Sequence, residues 1–413
     1  MLQKAVLIML AGGLAACAGR PEDVMAPVMT TAPGTSRVDM IVATTRRPAP
    51  SPGELFSGER GSAVSFANIV VSIPPESVRE IGDVQWPRTS PGNPATDFVT
   101  VKADRLELAK TRDWVRAKAA GTSKHRVLVF VHGFNNKFDD AVFRFAQIIH
   151  DADAAVVPVL FTWPSRGSVF AYGYDRESTN LSRDGLEQVL NMLARDPAVS
   201  EVTILAHSMG NWLTLEALRQ MAIRDRHVPP KIRNVMLAAP DVDVDVFGNE
   251  IADMSEPRPN FTLLISQDDH ALAVSRHVWG SVARLGAIDP QAEPYKSQLS
   301  AERITVVDLT KREDDDILNH GKFASSPELV RLIGGRLKTG QVIDDWHEGI
   351  GDRIVAATTG AAASVGTATG LAIAAPAAVI DPVTREHLSE EVGELETELQ
   401  DAGSSVTDGQ RAH

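Results

Sequence analysis

The residue best suited to nucleophilic chemistry is Ser208, which lies in the segment Ala-His-Ser-Met-Gly at positions 206–210. An apolar run that reads as a strand precedes this segment, and a run with helical spacing follows it. A strand, a tight turn with a serine at its apex and a helix form a nucleophile elbow, which presents the hydroxyl above the sheet. Such a turn needs small residues two before and two after the serine, and Ala206 and Gly210 meet that need. A serine that only caps the helix is the alternative interpretation.

A serine hydroxyl is a weak nucleophile, so the elbow also needs an oxyanion hole, a base and an acid. Upstream, the apolar strand at 126–131 runs into the loop His-Gly-Phe-Asn at 132–135. This is the type of loop that lends a backbone N–H to an oxyanion. The predicted donors are the amides of Phe134 and Met209, and one such donor contributes about 3 kcal/mol to transition-state stabilisation. We expect His132 to fix the loop by hydrogen bonds.

Two later strands end near groups that would complete a catalytic triad in the chain order serine, aspartate, histidine. The strand at 261–266 leads to Asp268 and Asp269, and the strand at 304–309 leads through an acidic loop to His320. We interpret His320 as the base and Asp269 as the acid. Asp268 stays an alternative acid, because spacing alone does not settle the register.

A rival acid follows the strand at 234–239, where Asp241 and Asp243 alternate with valines. Some serine hydrolases take their acid from the strand at this place in the sheet. The same alternation of Asp and Val also fits an exposed edge or an anchor for a loop. Asp241 and Asp243 are therefore kept as alternative acids.

The elements that would carry these residues alternate in type along the chain. Helices are predicted at 138–151, 178–193 and 211–224, each after a strand, which is the pattern of a parallel sheet. Two strand-like stretches, 38–44 and 63–72, would form a leading, partly antiparallel edge. The sequence thus predicts an α/β fold with a mostly parallel central sheet flanked by helices.

Several of these motifs, taken in order, resemble a bacterial α/β-hydrolase family of serine esterases with no established physiological role. The motifs are His-Gly-Phe-Asn at 132–135, Phe-Thr-Trp-Pro-Ser-Arg-Gly at 161–167, Ala-His-Ser-Met-Gly-Asn at 206–211, Ala-Ala-Pro-Asp-Val-Asp at 238–243 and Asp-His-Ala-Leu at 269–272. The resemblance covers roughly residues 38–340 and implies the α/β-hydrolase fold and a serine-hydrolase mechanism. It implies little about the substrate.

The expected reaction is cleavage of a carboxylic ester, of a small molecule or a lipid, through an acyl-enzyme on Ser208. Acyl transfer or amide hydrolysis on the same triad is an alternative. A second alternative is a non-catalytic envelope scaffold that binds partners. No metal-ligand cluster or dinucleotide-binding glycine pattern is present, so no cofactor is expected. The net charge of −13 argues against nucleic-acid binding.

The amino terminus resembles a lipoprotein signal peptide at 1–16, because one lysine is followed by an apolar stretch and then by Leu-Ala-Ala-Cys at 14–17. Cys17 is the only cysteine of the chain. We interpret it as the acylated first residue of the mature protein, with a lone buried thiol as the alternative. Residues 17–37 would form a flexible tether. Ala18 after the cysteine favours attachment to the periplasmic face of the outer membrane.

The carboxyl-terminal region divides into an Ala/Gly-rich apolar segment at 341–380 and an acidic amphipathic helix and tail at 381–413. Residues 354–380 carry no charge and are long enough to span a bilayer, but they contain few leucines or isoleucines. A membrane-associated or self-packing helical hairpin is therefore favoured over a spanning helix. These helices would also permit self-association.

Overall fold

The computed structural model describes residues 20–122, 124–254, 256–278, 282–311 and 319–339. In this part of the chain a single sheet has the strand order β3-β2-β1-β5-β4-β6-β7-β8-β9. The strands are β1 Ser36–Pro48, β2 Phe56–Ile73, β3 Val99–Leu106, β4 Arg126–Val131, β5 Val157–Thr162, β6 Glu201–His207, β7 Ile232–Ala238, β8 Asn260–Ile265 and β9 Thr305–Asp308. The helices are α1 Leu108–Ala120, α2 Phe138–Asp151, α3 Tyr172–Arg195, α4 Met209–Asp225, α5 Val244–Asp253, α6 His270–Val278, α7 Tyr295–Ala301, α8 Lys322–Ser325 and α9 Pro327–Thr339.

The direction of the strands brings the candidate residues to one edge of the sheet. β2 pairs antiparallel with β1 and β3, and the other neighbouring strands pair parallel. Parallel strands place their carboxyl ends at the same edge, where binding sites of open α/β sheets form. The predicted α/β class and the partly antiparallel leading edge are both confirmed.

The central strands are apolar throughout because both faces of the sheet are covered. In β4, Val127, Val129 and Val131 pack with α3 and α4 on one face, whereas Leu128 and Phe130 pack with α2 and α9 on the other. Successive side chains of a strand point to opposite faces, so a continuous apolar run fills two cores. This double burial fixes the position of the loops at the carboxyl edge.

The three predicted helices are present, two of them with shifted bounds. The bounds of α2 agree with the prediction, and α4 begins two residues earlier than predicted. α3 begins at Tyr172, six residues before the predicted start, and Asp175 is the buried residue of this added stretch. Neither β3 nor α1 was predicted from the sequence.

The segment 20–28 differs from the flexible tether expected for residues 17–37. Val24, Met25 and Val28 are buried against the domain. The backbone N–H of Met25 donates to the oxygen of Gly53 at 2.8 Å, and that of Val28 donates to Thr100 at 2.7 Å. These buried side chains and hydrogen bonds hold residues 20–28 on the domain surface. The prediction of a flexible tether is therefore wrong for this part of 17–37.

The predicted signal peptide with Cys17, the apolar segment from residue 341 and the acidic tail lie outside the described residues. Among the described residues, no helix is both long and apolar enough to cross a membrane.

Candidate active site

Ser208 occupies the turn between β6 and α4 in a strained backbone conformation. Its φ of 51° and ψ of −121° lie outside the regions that residues with a side chain normally adopt. A Cβ on Gly210 would lie 2.3 Å from the carbonyl oxygen of His132, so only glycine fits there. The turn therefore has the backbone of a nucleophile elbow, with its small residue in the predicted place.

The loop after β4 lies directly against this elbow. A Cβ on Gly133 would lie 2.9 Å from the Cβ of Ser208, which explains the glycine. Phe134 follows Gly133, and Met209 is the first residue of α4, where backbone N–H groups have no partner within the helix. The structure thus brings the loop of Phe134 and the amide end of α4 together beside Ser208.

His320 and Asp269 meet across a sequence separation of 51 residues. Nδ1 of His320 lies 2.7 Å from Oδ2 of Asp269, and the carboxylate is buried. The other oxygen of Asp269 accepts the N–H of Leu272 at 2.9 Å, which fixes the carboxylate at the start of α6. When Nδ1 of a neutral imidazole donates to a carboxylate, the lone pair is on Nε2, as a general base requires.

His207, the residue before Ser208, links the loop that carries His320 to the elbow. Its ring centroid lies 4.8 Å from that of His320, and its Nε2 lies 3.3 Å from the carbonyl oxygen of His320. Burial and the nearby His320 hold the pKa of His207 well below its usual value. His207 is therefore a neutral packing partner, and it brings His320 next to the serine turn.

Asp268 holds the same loop in place from the other side. Its carboxylate oxygens accept from Nζ of buried Lys322 at 2.9 and 3.0 Å, and from Nδ2 of Asn319 at 3.3 Å. Asn319 and Lys322 flank His320 closely in the chain. These contacts anchor the loop that carries His320, and they favour Asp269 over Asp268 as the partner of the imidazole.

The two aspartates after β7 contact other groups. Oδ2 of Asp241 accepts from the hydroxyl of Tyr172 at 2.8 Å, and Oδ1 accepts from Ser275 at 2.6 Å. Asp243 caps α5 by accepting the backbone N–H groups of Asp245 at 2.8 Å and Val246 at 3.2 Å. These contacts favour the loop-anchor interpretation of Asp241 and Asp243.

Comparison with known proteins gives one family. Residues 107–336, more than half of the chain, match the model of the alpha/beta hydrolases of unknown function (DUF900). The chain belongs to this family. It is an α/β-hydrolase, and the matched region holds Ser208, Asp269 and His320. No curated protein has a significantly similar sequence.

The solved structures to which this α/β-hydrolase is similar share little sequence with it. A predicted CIB-like hydrolase from Thermoplasma acidophilum is 17% identical, over 52% of this chain and 88% of that chain, with a TM-score of 0.31. Esterase B from Lactobacillus rhamnosis, inhibited by a tributyrin phosphonate, is 9% identical over 84% and 97%, with a TM-score of 0.33. The RedJ thioesterase from Streptomyces coelicolor is 15% identical over 52% and 86%, with a TM-score of 0.29. Similarities this weak carry no information about the substrate.

His132 fixes the loop of this hydrolase, as its position suggests. Its Nε2 accepts the backbone N–H of Trp163 at 3.1 Å, and Nδ1 lies 2.8 Å from the carbonyl oxygen of Gly133. Burial and the neighbouring guanidinium of Arg46 lower the pKa of His132 to about 3. The imidazole is therefore neutral at physiological pH, which suits a structural hydrogen-bond role.

Arg46, at the end of β1, is a buried cation that the sequence did not reveal. Its side chain donates to the backbone oxygens of Ser165 at 2.8 Å and Asn136 at 2.7 Å, and to the hydroxyl of Thr162 at 2.6 Å. Burial lowers the pKa of Arg46 to about 10, so it stays charged at neutral pH. One side chain thus ties the loops after β4 and β5 together beneath the site.

Asp175 in α3 is the anionic counterpart of this arrangement. It accepts the hydroxyl of Ser165 and the backbone N–H groups of Arg166 at 3.1 Å and Asn135 at 3.4 Å. Burial raises the pKa of Asp175 to about 6, although these hydrogen bonds favour the ionised form. Asp175 therefore holds the residue next to Phe134 in place.

Asn211 completes the set of supporting residues that sequence reasoning missed. It is fully buried in the first turn of α4, and its Nδ2 donates to the backbone oxygens of Ser208 at 3.0 Å and Ala238 at 2.8 Å. It thereby joins the elbow to the end of β7. Its place directly after Gly210 in the motif is a signal that could have identified it.

Proposed function

We propose that this α/β-hydrolase cleaves carboxylic esters through an acyl-enzyme formed on Ser208. The observation that carries the proposal is the bond between His320 and Asp269 next to the strained serine turn. A strained conformation of a residue with a side chain is commonly kept where function requires it. The glycine-lined loop at 132–135 against the same turn is the second support.

In the proposed reaction, Oγ of Ser208 attacks the acyl carbon while Nε2 of His320 takes its proton. Asp269 stabilises the imidazolium that forms. The amides of Phe134 and Met209 bind the oxyanion of the tetrahedral intermediate, where each donor contributes about 3 kcal/mol. His320 then gives its proton to the leaving alcohol. Water releases the acyl group in a second cycle of the same steps.

The attachment of the protein is part of the same proposal. Removal of residues 1–16 and acylation of Cys17 would fix the enzyme to the periplasmic face of the outer membrane. A single acyl chain binds a bilayer reversibly, whereas two or more hold a protein firmly. The apolar segment at 341–380 would then add little to membrane attachment. Two molecules of the protein would associate through this segment.

A panel of p-nitrophenyl esters of increasing acyl length tests the proposal. The purified protein should release p-nitrophenol from the esters with a burst followed by steady turnover, because an acyl-enzyme accumulates when its hydrolysis is slow. Matched p-nitroanilides should turn over far more slowly. If added glycerol is present and the main product is acylated glycerol, not the free carboxylic acid, the result would favour acyl transfer. Absence of turnover on the whole panel would contradict the proposal and favour a scaffold.

A further inference from the structure

Three exposed apolar side chains stand within two residues, in the chain, of groups that contact Asp241. Phe170, Val274 and Val282 have 63%, 39% and 39% of their surface accessible. Phe170 precedes α3, Val274 lies on α6 directly before Ser275, and Val282 lies two residues before Arg284. We refer to Phe170, Val274 and Val282 as the apolar rim.

Asp241 connects the apolar rim to Ser208. Its carboxylate contacts the hydroxyls of Tyr172 and Ser275 at 2.8 and 2.6 Å, and Nε of Arg284 lies 3.5 Å from Oδ1. Each member of the apolar rim is thus within two residues of a group that touches Asp241. The backbone N–H of Asp241 donates to the backbone oxygen of Ser208 at 3.4 Å. The apolar rim therefore lies beside the serine turn, at the carboxyl edge of the sheet.

The described chain enters the domain at this same edge. Arg20 forms an ion pair with Asp140 at the start of α2, and its guanidinium lies 3.9 Å from the centroid of the Trp86 ring. The carboxylate of Asp140 accepts the N–H of Lys137 at 2.8 Å. Lys137 is three residues after Phe134, so Arg20 is held next to the loop that abuts Ser208.

The predicted lipid anchor stands only a few residues before Arg20 in the sequence. Three residues of fully extended chain reach about 11 Å, and Cys17 is three residues before Arg20. An acylated Cys17 would therefore hold the membrane surface close to the carboxyl edge. A long flexible tether would allow any orientation, but a segment whose Val24 and Met25 are buried does not.

We propose that the carboxyl edge of the sheet faces the lipid bilayer and that the ester attacked by Ser208 is an acyl lipid drawn from that bilayer. This inference rests on the proposed function and on acylation of Cys17. Exposed aromatic and aliphatic side chains insert readily at the boundary between headgroups and acyl chains. The connection between β7 and β8 carries only the ten-residue α5, so the lipid would reach the site without passing a long cap.

Orientation can be measured independently of activity. We would replace Phe170 by Cys in the full acylated chain, label it with an environment-sensitive fluorophore and reconstitute it in vesicles of phosphatidylethanolamine and phosphatidylglycerol. Ile223→Cys is the matched control, because Ile223 is 57% exposed near the far end of α4. We expect brominated lipid to quench the label at position 170 at least fivefold more than at 223. Equal quenching at the two positions would overturn the orientation.

The substrate class is tested by comparing a lipid ester in vesicles with a soluble ester. The rate on a vesicle-borne diacyl lipid is divided by the rate on a soluble short-chain ester. Phe170→Ser combined with Val274→Ser should lower this ratio about tenfold, whereas Leu181→Ser and Ile223→Ser should leave it unchanged. An unchanged ratio in the rim variant would overturn the inference. If the parent chain cleaves neither ester, the proposed function fails and the lipid substrate with it, while the quenching result still decides the orientation.

Discussion

Nδ1 of His320 lies 2.7 Å from Oδ2 of Asp269, although the two residues stand on separate loops after β8 and β9. The carboxylate is buried, and its second oxygen accepts the N–H of Leu272. The backbone therefore holds this carboxylate independently of the imidazole. An imidazole held in this way has one tautomer and one orientation. This relationship makes Asp269 the candidate acid of the triad.

Asp269→Asn should lower kcat by about 10⁴-fold, because an amide would favour the wrong tautomer of His320. The matched controls are Asp268→Asn and Asp241→Asn, which alter anchors of loops. We expect each control to lose less than about tenfold in kcat, since loop anchoring is shared among several contacts. Steady-state kinetics on a p-nitrophenyl ester measures all three variants. A severe loss in Asp241→Asn with a mild loss in Asp269→Asn would place the acid on β7 instead.

Asp175→Asn should lower kcat by about 10- to 100-fold. The new NH2 group would face a hydroxyl and N–H groups that now donate hydrogen bonds to the carboxylate of Asp175. Leaving a buried donor unsatisfied costs about 1–3 kcal/mol. Asp184→Asn is the control, since Asp184 lies exposed on the same helix, α3. The rate of inactivation by a phosphonate ester would measure directly how well the loop at 132–135 binds the oxyanion. Equal inactivation rates for both variants would show that Asp175 does not position the loop at 132–135.

Much of the arrangement could be predicted because it depends on local patterns. Ser208, the loop at 132–135 and α2 follow from a few neighbouring residues. The contacts of Arg46 could not be predicted, because its partners lie far away in the chain. Those of Asp175 could not be predicted either, because they depend on how α3 packs against the loops after β4 and β5. Arg46 reaches Thr162 and Ser165, more than 100 residues later. Nothing in the residues around Arg46 distinguishes a buried arginine from an exposed one at the end of a strand.

Glu250→Gln should stabilise the protein, and more so at higher pH. Burial, followed by the neighbouring carboxylate of Glu216, raises the pKa of Glu250 to about 9. The folded state therefore keeps a proton that the unfolded state loses above pH 4.5, so stability falls as pH rises from 4.5 to 9. The slope is at most about 1.4 kcal/mol per pH unit. Urea unfolding at pH 5, 7 and 8.5 measures it.

The glutamine variant lacks this titration, so its advantage over the parent chain should grow across the three pH values. Glu256→Gln is the control, because Glu256 lies exposed just after α5, the helix that carries Glu250. A constant difference between Glu250→Gln and the parent at all three pH values would mean that Glu250 is ionised in the folded protein.

Cys17→Ser should block lipoprotein maturation and release the protein from the membrane fraction. A chain that ends near residue 340 should remain membrane-bound and should still hydrolyse esters, because two or more acyl chains suffice for anchoring. Fractionation, together with mass spectrometry of the amino-terminal peptide, measures both outcomes. Release of the shortened chain despite an acylated Cys17 would identify the carboxyl-terminal segment as the anchor.

The central claim is that Ser208 is the nucleophile, and covalent labelling tests it most directly. The purified protein should gain the mass of one fluorophosphonate adduct on the peptide that contains Ser208. Ser208→Ala should take up no label and lose about six orders of magnitude in kcat. Its circular dichroism spectrum and unfolding midpoint should stay close to those of the parent chain. Full labelling of the folded Ser208→Ala variant, or an adduct on another residue, would contradict the account.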